Sequence, residues 1–184
     1  MILRNSIIIF LLTFIYSLLR YNFFGNVPFA DIPTLILNKA ISFSSIIFLF
    51  LAILNFHHKN KKNGASYINF FKAFSLMHIL LSIPLLNSTY YPKLFSGGRL
   101  SLYGNLALLT GVFSFAWLVS KKVGLVFSIL FLLLAAHLFY IGSTNWLDFK
   151  GWYGSMPPIT LICFLMVSGL FAFSFFNKNR LPEN

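Results

Sequence analysis

Residues 121–141 read KKVGLVFSILFLLLAAHLFYI. Two lysines lead into nineteen residues without an Asp, Glu, Lys or Arg, and His137 lies within them. A helix that crosses a hydrocarbon core of about 30 Å needs about 20 apolar residues, so this stretch reads as a membrane span. Five more stretches qualify, and together the predicted spans are 6–24, 40–56, 67–87, 102–119, 123–141 and 158–176. Composition agrees. The chain has 184 residues, 58% hydrophobic and 9% charged, with a mean hydropathy of +0.82. Soluble domains carry about 25% charged residues because their surfaces must be solvated, so an ordinary water-soluble globule is excluded. The expected architecture is all-α, a polytopic six-transmembrane-helix bundle forming one integral membrane domain over residues 1–184, with the lipid bilayer as its first partner.

The net charge of +11 arises from 14 basic and 3 acidic residues. In a polar protein that balance would suggest nucleic acid, but here the basic residues sit between apolar runs, as the positive-inside rule requires. Arg4, the cluster Lys59, Lys61 and Lys62, the pair Lys121 and Lys122, and the tail with Lys178 and Arg180 fall on one side. Arg20 and Lys39 in the first connection, Lys93 and Arg99 in the third, and Lys150 in the fifth fall on the other. Eight against five, with the compact clusters together, places both termini in the cytoplasm. The first span resembles a signal peptide but has no small-x-small cleavage site before Arg20, so it reads as retained. Arg4 and Arg20 would then snorkel to opposite interfaces. Cys163 is the single cysteine, so no intrachain disulfide forms.

Two outer connections are aromatic. Residues 87–100 carry Tyr90, Tyr91, Pro92, Gly97 and Gly98, and 144–157 carry Trp146, Trp152 and Tyr153. Such rings read first as headgroup anchors, and otherwise as a cap over a cavity.

The histidines divide into two kinds. His57 and His58 end the second span beside Lys59, where a polar helix end costs little. His78 and His137 lie inside apolar helices, where even a neutral imidazole has a donor and an acceptor to satisfy. Lys61-Lys62-Asn63-Gly64 precedes His78, and Lys121-Lys122-Val123-Gly124 precedes His137 at nearly the same remove. The two helices run parallel, and at 1.5 Å per residue each imidazole stands about 20 Å above its glycine, in the outer half of the bilayer. Two rings at one level can approach a planar metal macrocycle from opposite faces and fill both axial positions of a haem iron. The alternative is a hydrogen bond across helices. Zinc wants about four ligands, and the sequence offers only Cys163 besides. In the fourth span Gly104, Ala107, Gly111 and Ser114 form a thin stripe that admits a close neighbour, a flat macrocycle or another helix.

On six spans, the Lys122-Val123-Gly124 leader before His137, and His78 in the third span, the chain resembles the ferric reductase-like transmembrane domain family. The resemblance implies a b-type haem ligated through iron by His78 and His137, with Gly104, Gly111 and Arg99 as further cofactor-binding candidates. It departs from two-haem members in having one histidine per ligand helix, which implies one haem, near the outer face. No Gly-x-Gly-x-x-Gly follows the last span, so electrons are expected from a separate flavoprotein or from quinol. The likeness also implies a bacterial inner (plasma) membrane, an electron-transport role and a place as the haem subunit of an oxidoreductase. Lys93 and Arg99, with Tyr90 and Tyr91, are expected to meet haem propionates or an anionic acceptor. The rival reading is a cofactor-free membrane subunit or small transporter, in which the histidines pack helices or relay protons.

Overall fold

The structure is a computed structural model that describes residues 2–120 and 126–176. Among these residues six helices are long and apolar enough to cross a membrane. Helix α1 (Ile2–Leu18) runs into a π turn at Leu19–Phe23. A 3-10 turn (Phe29–Asp31) and a second π turn (Ile32–Ile36) lead into α2 (Leu37–His57). Then come α3 (Lys61–Leu85), α4 (Leu102–Val119), α5 (Val126–Gly142) and α6 (Ile159–Phe176). The predicted all-α bundle is present.

Two helices start with side-chain caps. Asn60 accepts from the Asn63 amide at 3.3 Å and Ser101 from the Gly104 amide at 3.1 Å, each satisfying a donor that the first turn leaves free. Between α3 and α4 a short hairpin pairs β1 (Phe95–Ser96) with β2 (Arg99–Leu100). Its two-residue turn is Gly97-Gly98, both at positive φ, which matches the twist of a tight hairpin.

Helix α1 is turned inside out relative to a helix of a soluble protein. On α1 the buried residues are Ser6, Thr13 and Ser17, while Ile7, Ile8, Leu11 and Leu12 face outward. Lipid is as apolar as a leucine core, so nothing drives those side chains inward, whereas a hydroxyl gains by finding a partner on another helix. Thr13 Oγ1 and Ser44 Oγ lie 2.6 Å apart between α1 and α2. Ser45 and Ser75 join α2 to α3 at 2.8 Å.

Helix α2 is the hub. Ala40, Phe48, Leu49, Ala52 and Ile53 are fully buried along it, and it packs on α1, α3 and α6. From α6 the contacts pass to α5 and then to α4. The order α3, α2, α6, α5, α4 is a horseshoe whose ends, α3 and α4, touch little. Helix α1 lies outside it, against α2.

Two expectations are corrected here. Lys39 and Arg20 do not lie in a connection. Both belong to the helical stretches, Phe29–His57 and Ile2–Phe23, because apolar residues on both sides of each cation keep the backbone helical. Arg20 is 4% exposed, donates from its guanidinium to the Met156 carbonyl, and sits 5.5 Å from the centres of both the Tyr21 and Tyr153 rings. The second Lys-Lys-x-Gly leader (Lys121, Lys122, Val123, Gly124) and the tail cations Lys178 and Arg180 lie outside the described residues.

Candidate functional site

The horseshoe encloses a cavity of about 250 Å³ walled by residues of α2 to α6. His78 from α3 and His137 from α5 both line it. The matched depths read from the sequence therefore correspond to one shared space. Both rings sit toward the end of the bundle that carries the α3–α4 loop. His78 lies seven residues before Leu85 and His137 five before Gly142, about 10 and 8 Å of helix.

Each ring is held by its Nδ1. His78 Nδ1 lies 2.6 Å from Asn38 Oδ1 and 3.4 Å from Ser82 Oγ, while the Asn38 amide donates to Ser82 at 3.1 Å. The carboxamide oxygen can only accept, so Nδ1 carries the proton. His137 Nδ1 lies 2.8 Å from the Ala107 carbonyl oxygen, and the same logic applies. Both rings thus present Nε2 as a lone-pair donor, without a hydrogen-bond partner among the described residues.

The Ala107 contact depends on the small-residue stripe. Gly104, Ala107, Gly111 and Ser114 all line the cavity, and the stripe's close neighbour is α5. In a helix the side chain at i+4 stands over the carbonyl of residue i, and at that position from Ala107 is Gly111. A Cβ built there would lie 2.8 Å from His137 Nδ1 and 2.9 Å from its Cε1. Gly111 is thus a contact of the His137 ring, and Gly104 lies against the Leu94 carbonyl, 2.3 Å from where a Cβ would be.

The aromatic loops separate. Tyr91 and Leu94 of the α3–α4 loop line the cavity, so that loop does cap it. Trp146 packs instead between α5 and α6, donating to Thr160 at 3.0 Å and contacting Phe139 and Phe164. Arg99 is exposed on the hairpin and does not line the cavity. Lys93 donates to Thr144 and Asn145. Tyr90 donates to Asp31 at 3.1 Å, and that hydrogen bond, with the carboxylate's charge, raises its phenol above the usual value. His57 and His58 end α2 as expected, with the His57 ring 4.9 Å from that of Phe173.

Three groups around the His78 ring and its cavity escaped the sequence reading. Asn38 and Ser82 hold His78, and Lys39 lines the same cavity beside Tyr91. Their signal was the Asn38-Lys39 pair directly ahead of an apolar run, where polarity suggests a connection.

The donor set fits a haem. Two neutral imidazoles face an apolar space, each fixed through Nδ1 to a carbonyl in the manner of metal-ligating histidines. The volume lies just below the range of about 300–1,000 Å³ common for ligand pockets, and the lining residues Ile83, Leu108 and Val112 are also exposed on the outside of the bundle. Cys163 also lines the cavity, but no three His, Cys, Asp or Glu side chains converge among the described residues, which disfavours a zinc centre. No protein-family model and no curated protein matches the chain.

Proposed function

We propose that the protein is a transmembrane electron carrier that holds one b-type haem between His78 and His137. It would pass single electrons from a quinol or a separate flavoprotein to an acceptor near the outer face. The carrying observation is that both Nδ1 atoms are engaged by oxygen acceptors, each Nε2 has no hydrogen-bond partner among the described residues, and both histidines line one largely apolar cavity. Bound there, the haem would supply reversible one-electron chemistry at iron. The chain's own groups have four tasks. His78 and His137 supply ligand nitrogens. Asn38 and the Ala107 carbonyl set their tautomers and orientation. Buried side chains such as Phe71, Leu130 and Ile159 keep water away. The horseshoe holds α3 and α5 on opposite sides of the space.

The test is an absorption spectrum of the full chain purified from haem-replete cells, oxidised and reduced. A sharp Soret band that shifts on reduction is expected. His78→Ala or His137→Ala should each lower haem content to below about a tenth while insertion persists, since a lost ligand typically removes most of a site's affinity. A second reading draws on the Asn38–Ser82–His78 network, the kind of intramembrane chain that also relays protons. A colourless protein that retains a pH-driven flux would favour that cofactor-free transporter.

A further inference from the structure

Lys39 presents a charge problem. It lies ten residues into the helical stretch Phe29–His57 and lines the histidine cavity. Its ammonium lies 3.4 Å from the Tyr91 hydroxyl and 4.9 Å from the centre of the Tyr91 ring. Neither contact supplies a negative charge. A cation in the wall of a largely apolar cavity normally has a counter-charge, because desolvation otherwise works against it.

The chain has few candidates for that counter-charge. It contains three acidic residues, Asp31, Asp148 and Glu183. Asp31 accepts from Tyr90 at 3.1 Å, Asp148 caps its own turn by accepting from the Gly151 amide at 3.2 Å, and Glu183 lies outside the described residues. No Asp or Glu lines the cavity among the described residues. The cavity is therefore lined by mostly apolar side chains, several hydroxyls, two imidazoles and one ammonium, with no anionic side chain among the described residues.

The cavity also has a mouth. Ile83, Leu108 and Val112 line it and are at the same time 66%, 42% and 54% exposed on the outside of the bundle. They stand on α3 and α4, at the seam where the horseshoe does not close. A ligand reaching this space from the bilayer would be largely apolar, with an acidic group that ends beside Lys39.

We infer that Lys39, seated beside Tyr91 in the wall of the histidine cavity, pairs with a carboxylate of the cavity's ligand, which on the haem reading is a propionate. The inference rests on the haem proposal above. It names a different atom, the Lys39 Nζ, and a different part of the ligand. Lys39 is here a binding residue with no role at the iron. A charge-assisted hydrogen bond in a low-dielectric site outweighs a neutral one, so esterifying the acid should cost affinity only where the ammonium is present.

The experiment uses the full chain in lipid nanodiscs, prepared from haem-depleted cells and titrated with haemin and with haemin dimethyl ester by Soret absorbance. The native chain should bind haemin at least about tenfold more tightly than the diester. Lys39→Met should bind the two alike, with an affinity near that of the native chain for the diester. Lys39→Arg, which keeps the charge, should restore the preference. Equal binding of acid and diester by the native chain, or a preference that survives Lys39→Met, overturns the inference while leaving the haem proposal intact. A native chain that binds neither compound overturns both. A second measurement does not depend on the haem-free form. Transfer of haem from the purified holoprotein to excess apomyoglobin should be about tenfold faster for Lys39→Met than for Lys39→Arg, and equal rates overturn the inference.

Discussion

Gly111 and Asn38 hold the two imidazoles by different means, and each makes a prediction. Gly111 acts by lacking a side chain. Alanine is the better helix former by about 1 kcal/mol, so Gly111→Ala should leave helix α4 and membrane insertion intact. Its methyl group would nonetheless occupy the place of the His137 ring, 2.8 Å from Nδ1, and break the bond to the Ala107 carbonyl. Haem content of the purified variant should fall sharply at unchanged protein yield. Unaltered content would mean that the ring has another seat. Asn38 acts by accepting a hydrogen bond. Asn38→Ala leaves His78 Nδ1 with Ser82 alone, at 3.4 Å. Loss of such an orienting partner costs about 10–100-fold in ligand affinity, measurable by haem titration. Ser82→Ala removes the weaker contact and should cost less.

Helix α1 shows what fastens an element when lipid gives it no reason to bury apolar surface. Its inward face is Ser6, Thr13 and Ser17, and its far end is tied to the α5–α6 loop through two contacts. Arg20 donates to the Met156 carbonyl, and the Tyr16 hydroxyl donates to the Pro157 carbonyl at 2.6 Å. Removing a donor to a buried carbonyl costs about 1–3 kcal/mol, because the acceptor is left without a partner. Arg20→Ala should therefore speed hydrogen exchange of backbone amides over residues 152–156, read by mass spectrometry, and leave haem content near that of the native chain. Arg20 lies outside the cavity wall, so a large loss of pigment would assign it a role the geometry does not.

The open seam between α3 and α4 makes the bundle a horseshoe, and its consequence is lipid contact at the cavity mouth. Val112 is 54% exposed there, whereas Leu130, a cavity residue on the neighbouring helix α5, is 1% exposed. The three native tryptophans replaced by phenylalanine, with a single Trp placed at position 112, should give fluorescence that brominated lipids quench strongly. Trp at position 130 should be quenched little. Equal quenching at both positions would show that the bundle closes, or opens elsewhere.

Much of this architecture could be read in one dimension. A backbone in lipid must satisfy its own hydrogen bonds, so long apolar stretches become helices whatever their neighbours do. The fourth span was expected at 102–119 and is Leu102–Val119, and the sixth, expected at 158–176, is Ile159–Phe176. Nearly equal counts from two leaders likewise suggested one level for His78 and His137, and both line one cavity. The second span was expected from residue 40, with Lys39 in the connection before it, yet Lys39 lines the cavity and its neighbour Asn38 holds the His78 ring. What counting could not reach is the rotation of each helix about its axis. In water that rotation follows the apolar stripe, but lipid and core are equally apolar here, so no stripe marks the inward side. Packing sets it instead. Ser and Thr contacts turn α1 and α3 against α2, and Gly111 lets α5 close on α4. Those contacts bring both rings, and the Lys39 ammonium, to the wall of a single space.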